Sequence, residues 1–197
     1  MGKNYVETLA CQKSAGTLFN TYTTAKSVIN PDCIPDLPRS VFWVPGRRAH
    51  IIGEGAISNV VTAAPTIQFL VKLGTIASAV TVFDSGQVQL NTIAHTTLPF
   101  SFEIRLRSDK DNYGNGTTAK LWGRMTVKGI MFAKSTAQID SLQSDNEILL
   151  PQTAPVLGAG FDATIVTNPD FWAGFSASNA GNGIRIDDYA FIDMGIA

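Results

Sequence analysis

The sequence predicts an all-β protein, an antiparallel β-sandwich of jelly-roll-like type with an extended, proline-containing N-terminal arm. Three observations predict it. Several segments alternate apolar and polar residues with the period of two that a half-buried strand requires. Charged residues make up 16% of the chain, below the roughly 25% usual in soluble domains, while Gly, Ser, Thr and Asn are plentiful, a profile of strands joined by turns. No segment keeps a convincing helical period, and only 7–14 and 138–147 have the makings of a short helix. With 197 residues, 45% of them hydrophobic, the chain has material for one cored domain and an arm: residues 1–45 form the arm and its extended connection, and 46–197 the sandwich.

The first forty-odd residues are polar and Thr-rich, then punctuated by Pro31, Pro35, Pro38 and Pro45. Proline removes a ladder donor and fixes φ, so this stretch reads as an N-terminal strand followed by an extended connection. The strand either closes its own sandwich or reaches a neighbouring subunit. A strand is expected at 48–61. In "TIQFLVKL" (66–73), Ile67, Phe69, Val71 and Leu73 share one face and Thr66, Gln68 and Lys72 the other. Short strands are expected at 80–84 and 87–91. From 98 to 107, Leu98, Phe100, Phe102, Ile104 and Leu106 oppose Ser101, Glu103, Arg105 and Arg107. In "AKLWGRMTVKG" (119–129), Ala119, Leu121, Met125 and Val127 point inward, and Lys120, Arg124, Thr126 and Lys128 outward with Trp122; Gly123 and Gly129 predict a bend or bulge. Residues 138–160, with Pro151 and Pro155, read as a surface loop. Strands are expected at 163–167, 171–177 and 184–193. The last changes phase at Asp187-Asp188, where Ile184 and Ile186 give way to Tyr189 and Phe191, the signature of a β-bulge.

Composition narrows the function. No run approaches the roughly 18 apolar residues of a membrane span, and "MGKNYVETLACQK" lacks the apolar core of a signal peptide, so a soluble chain made in a cytoplasm is expected, with no membrane partner. Cys11 and Cys33 form no CxxC pair and read as two separate reduced thiols. The net charge of -1 is unevenly laid out: residues 1–136 hold 14 Lys and Arg against 8 Asp and Glu, and residues 137–197 hold 1 against 8. Either the two halves lie side by side in one fold, or basic and acidic surfaces of neighbouring copies meet in an assembly. Nucleic acid is not an expected partner, because phosphate contact needs positive charge concentrated on one face.

Sequences that mimic functional motifs resolve into turns. The loop "SDKDNYGNG" (108–116), aligned as a calcium loop, offers Asp109 and Asp111 as ligands but puts Tyr113 at the fifth position and Lys120 where a bidentate carboxylate is needed. Asp, Asn and Gly there serve a connection between strands. "GAGFDA" (158–163) imitates a dinucleotide fingerprint but follows Pro155 and precedes β-prone residues. Gly53, Gly55, Gly158 and Gly160 are read as turn or close-approach glycines. His50 and His95 show no metal-ligand spacing, no GxSxG elbow is present, and Glu54, Asp84, Glu103, Asp162 and Asp170 cannot be paired across a cleft from sequence. Trp43, Trp122 and Trp172 have rings that can stack on sugars, but a buried or interface position is the commoner fate and is the one expected. No catalytic, cofactor-binding or metal-ligating residue is assigned.

An ordered run of turn-and-strand motifs resembles a family of β-rich structural proteins of tailed-bacteriophage virions. The motifs are Gly55-Ala56-Ile57-Ser58, Asn91-Thr92-Ile93-Ala94-His95-Thr96, Pro99-Phe100, Gly160-Phe161-Asp162, Phe175-Ser176 and Ala180-Gly181-Asn182, and the likeness spans roughly residues 40–190. The resemblance implies a jelly-roll-like virion component without catalytic residues to carry over, seated on the capsid as a decoration or cement protein, or on the tail as a fibre or baseplate part. The expected function is therefore a non-enzymatic capsid-decorating protein, homotrimeric, on the virion surface and bound to major capsid protein and to its own copies. A tail module binding host carbohydrate is the alternative. The expected partner-interface residues are Tyr5, Phe19, Tyr22, Trp43, Asp109, Asp111 and Tyr113.

Overall fold

Period-two alternation sorts the apolar side chains of the long strands onto one side, and two antiparallel sheets close over them. The computed structural model describes residues 6–61, 65–74, 78–111, 116–132 and 147–196. Among these, the strands in chain order are β1 (Glu7–Cys11), β2 (Phe19–Asn20), β3 (Lys26–Ser27), β4 (Arg47–Asn59), β5 (Thr66–Leu73), β6 (Val80–Gln89), β7 (His95–Ser108), β8 (Leu121–Lys128), β9 (Glu147–Leu150), β10 (Val156–Leu157), β11 (Pro169–Phe175) and β12 (Gly183–Ile196). The described residues contain no α-helix, only a 3₁₀ turn at Pro31–Cys33. The larger sheet runs β1-β12-β4-β7-β8-β10, with β2 beside β1 on the edge of β12 and β9 beside β10 on the edge of β8; the smaller runs β3-β11-β5-β6. The protein is an all-β antiparallel sandwich of jelly-roll-like type.

The sheets meet through aromatic rings. Phe102 of the larger sheet stacks on Phe171 of the smaller, centroids 4.6 Å apart, and Phe171 stacks on Phe69 at 5.8 Å. Phe100 and Phe132 extend the cluster, and Ile51, Ile57, Ile67, Val71, Ile104, Met125 and Val127 seal it at 0% exposure. Offset stacks of this kind add about 0.5–1.5 kcal/mol per pair to the burial of apolar area.

Several expectations need correction. The possible helix at 7–14 is instead strand β1, paired with β12 through Glu7–Asp193 and Cys11–Ala190. The two strands at 80–84 and 87–91 are one, β6, which crosses a bulge: Gly86 takes φ +68°, its N–H donates to the Asp84 carboxylate, and Ser85 Oγ accepts from the Phe69 N–H. Residues 163–167 form a turn, because the Asp162 carboxylate accepts from both the N–H and the hydroxyl of Thr164; only Thr167 bridges, to Leu37. The surface loop at 138–160 is interrupted by β9 and β10, which extend the larger sheet; the helix considered over 138–147 otherwise lies outside the described residues. Gly123 marks no bulge, since β7 and β8 pair without a register shift; it leaves room for the Phe83 ring, which a Cβ would approach to 2.6 Å. The bulge at Asp187-Asp188 is present as expected, with the register of β12 on β4 shifting between Ile186 and Asp188.

Residues before 46 contribute to both layers. β1 and β2 pair with β12, β3 pairs with β11, and Tyr22, Val28, Ile29, Cys33, Leu37, Phe42 and Trp43 lie in the core. Cys11 is exposed and Cys33 buried, and both are free thiols.

Candidate functional site

Strands β4, β7 and β8, neighbours in the larger sheet, bury one face and turn the other outward. On β4 the outward residues include Arg48, His50 and Ile52; on β7, Glu103, Arg105 and Arg107; on β8, Trp122 and Arg124. Register then decides which of them meet. Arg48 lies directly opposite Arg107, which lies opposite Trp122; one row further along, His50 lies opposite Arg105, which lies opposite Arg124. Residues opposite one another on the same face have Cβ atoms about 4.5–5.5 Å apart, so the pairing gathers four guanidinium groups, an imidazole and an indole on one patch.

The patch is concave. Arg48, His50, Arg105, Arg107, Trp122 and Arg124 line a groove of about 630 Å³, rimmed by Val6 and Met194 on one side and Pro155 on the other. That volume falls within the roughly 300–1,000 Å³ usual for small-molecule sites. Of the four arginines, Arg105 alone is in an ion pair with a described residue, a two-pronged contact with Glu103 at 2.5 and 3.0 Å. Arg48, Arg107 and Arg124 are exposed and make no ion pair among the described residues.

The electrostatics follow. Burial pushes the His50 pKa down, and the guanidiniums of Arg105, Arg48 and Arg124 push it the same way, against the Glu103 carboxylate 3.5 Å from Nδ1. The hydrogen bond from Arg105 holds Glu103 below the usual carboxylate range. The Trp122 ring is half-buried and its orientation is set from outside the groove, because the indole N–H donates to Asp109 at 3.0 Å; that bond is the main reason Asp109 is held at low pKa. A face carrying four guanidiniums against two nearby carboxylates, Glu103 and Asp109, together with an oriented indole can bind an anion with an attached apolar surface.

The expected interface residues are placed as follows. Tyr22 and Trp43 are 6% and 2% exposed: Tyr22 packs edge-on against Phe175, and Trp43 donates to Thr167 Oγ1 at 3.1 Å. Their rings belong to the core of their own chain. Phe19 is half-buried on β2, Asp109 supports Trp122, and Asp111 is exposed. Tyr5 and Tyr113 lie outside the described residues. Of the other carboxylates considered, Asp84 accepts from Gln68, Asp162 from Thr164, and Asp170 from Ser27 and the Trp172 indole, each at its own place in the fold. Among the described residues no three His, Cys, Asp or Glu side chains group as ligands for a metal ion.

The groove residues Arg48, His50, Arg105, Arg107, Trp122 and Arg124 were not singled out together from sequence. The signal available was their outward phase on three separate strands; what joins them is inter-strand register, which alternation within a strand does not specify.

No protein-family model matches the chain, and no curated protein sequence matches it. Several solved structures are similar to it at low identity and low TM-score. The CBM2 module of the evolved Dit of Lactobacillus casei BL23 phage J-1 is 12% identical over 100% of this chain and 99% of that one, with a TM-score of 0.39. Lectin I of Ulex europaeus, in complex with the methyl glycoside of α-L-fucose, is 8% identical over 98% of this chain and 99% of that one, TM-score 0.39. The infectious bursal disease virus Gt strain structure is 9% identical over 99% of this chain and 43% of that one, TM-score 0.32. Likenesses this distant carry no argument about ligand or partner.

Proposed function

We propose that the chain is a structural component of a tailed-phage virion that works by binding and not by turnover, seated on the head as a capsid-decorating protein. It contacts major capsid subunits and, as a homotrimer, its own copies. The observation supporting this is where the exposed apolar side chains sit. Val41, Ile165 and Val166, 58%, 53% and 46% exposed, project from loops at one end of the sandwich, tied together by the Ser40–Ala163 hydrogen bond and the Leu37–Thr167 bridge. Leu18, Ile93 and Ile130, 53%, 63% and 56% exposed, project at the opposite end.

Apolar side chains gathered on exposed loops mark contact surfaces. Two such ends on a rigid core suit a plug that bridges neighbouring subunits: each contact of standard size buries roughly 1,600 Å², and repetition over a lattice makes the sum strong. Phe19 adjoins Leu18 at one end, and Asp109 and Asp111 lie at the other, which is how the expected interface residues enter this reading.

The alternative, a tail fibre or baseplate module binding host surface carbohydrate, is favoured by the partly exposed Trp122 ring in a groove. One experiment separates the two. Labelled protein added to virions that lack it is expected to coat the head; label confined to the tail tip would transfer the chain to the alternative.

A further inference from the structure

The apolar ends account for seating and leave the arginine groove unused. Its composition is costly for folding alone. Like charges directly opposite one another on a sheet destabilise it, and here Arg48 faces Arg107 and Arg105 faces Arg124. Two carboxylates answer the four guanidiniums only in part: Glu103 pairs with Arg105, and Asp109 lies close enough to Arg107 to feel its charge. The pattern is that of a surface whose counter-charge arrives with a ligand.

We propose that the groove binds an acidic oligosaccharide of the uronic acid type, with a pyranose ring lying on the Trp122 indole and carboxylates held by Arg107, Arg124 and Arg48. The positions of these groups select that chemistry. Arg107 is directly across from Trp122 and Arg124 is two residues along the same strand face, so the Cβ atoms of both arginines lie about 5–7 Å from that of Trp122 and their side chains share its patch. An anionic group bonded directly to the stacked ring falls within their reach. The planar guanidinium fork matches a carboxylate through two parallel hydrogen bonds. The indole gives the apolar face of the sugar a platform, and the Asp109 bond keeps that platform from turning. Arg48, beyond Arg107 in the same cross-strand row, places a further positive group across the groove for the next acidic residue of the chain.

Two other polyanions fit less well. Single-stranded nucleic acid is bound along a track of positive charge with successive aromatic platforms, whereas this groove holds one indole among its lining residues. An acidic peptide would use the arginines but has no need of an oriented indole face. The inference rests on the reading of the chain as a binding protein and is independent of its place on the virion.

The test is titration of the full chain with an oligogalacturonate, followed by tryptophan fluorescence and calorimetry. The same oligosaccharide with its carboxylates methyl-esterified, a phosphodiester-linked glycan and an oligothymidylate serve as comparison ligands. Expected are saturable binding of the oligogalacturonate with a fluorescence change that Trp122→Phe removes, and a loss of about tenfold or more on methyl esterification or in the Arg107→Gln/Arg124→Gln double variant. Because both arginines are exposed, the double variant is expected to keep the thermal midpoint of the parent. Absence of binding to the oligogalacturonate, equal binding of the methyl ester, or tighter binding of the phosphodiester glycan or the oligothymidylate would each overturn the proposal. A chain that coats heads yet ignores the uronate refutes this inference alone; one that binds the uronate but marks no virion refutes the virion reading alone.

Discussion

Arg107 shows at residue scale how function departs from stability. It sits in a strand of the core sheet, faces Arg48 on one side and Trp122 on the other, and makes no ion pair among the described residues. Arg107→Thr replaces it with a good strand former and removes a like-charge neighbour. The thermal midpoint is expected to hold or rise, within the roughly 0.5 kcal/mol typical of surface changes, while affinity for the anionic ligand falls. A large drop in the midpoint would mean the arginine is structural. His50 supplies the pH dependence. Glu103 and Arg105 of β7, Arg124 of β8 and Arg48 of its own strand face it, while Ile192 of β12 flanks it. Its folded pKa lies below the ordinary 6.5. Between 6.5 and that lower value the unfolded chain takes up a proton that the folded chain refuses, so this group costs stability as pH falls through that window. A bound anion favours the imidazolium, so ligand affinity is expected to strengthen over the same window. Both slopes should flatten in His50→Gln, as read by urea melts and by titrations at about pH 7.5 and pH 5.5.

At the scale of elements, alternation was a sound guide wherever one face is buried and the other wet. β5 begins and ends where its pattern does, and β7 and β8 bury the residues their phase assigns, apart from Leu98 near the start of β7, which is half-buried. The phase break at Asp187-Asp188 was legible for the same reason: a bulge is the way a strand keeps Ile184, Ile186, Tyr189 and Phe191 all inward. The N-terminal strand was legible and β1 is that strand, closing on β12 of its own chain, but a helix over 7–14 competed with it because an edge strand exposed on most of its residues carries little alternation. The bulge in β6 hid one strand as two. Gly55 ties these observations to energetics, since a Cβ there would overlap the Arg185 carbonyl oxygen where β12 approaches its bulge. Gly55→Ala is expected to cost about 1–3 kcal/mol or more, seen as a lower denaturation midpoint. A neutral outcome would mean the two strands separate more easily than their pairing indicates.

For the whole molecule, the sandwich is held by rings that cross between sheets, and the surfaces are held out from that frame. Phe171 stacks on Phe102 and on Phe69, so Phe171→Ala removes contacts on both layers and is expected to cost about 3–5 kcal/mol in equilibrium unfolding. A loss under 1 kcal/mol would mean that the sheets meet elsewhere. The uneven charge along the chain also acquires a location: four arginines from the first two-thirds converge on one outer face, which a net charge of -1 conceals. That convergence depends on strands distant in sequence, which is why the fold class could be read from the residues and the groove could not. The most direct measurement is a cryo-electron microscopy reconstruction of phage heads decorated with the chain. Density is expected on the head lattice, with Val41, Ile165 and Val166 or Leu18, Ile93 and Ile130 buried against capsid subunits and the arginine groove open to solvent. Heads without added density, or a groove pressed against the capsid while both apolar ends face solvent, would contradict it.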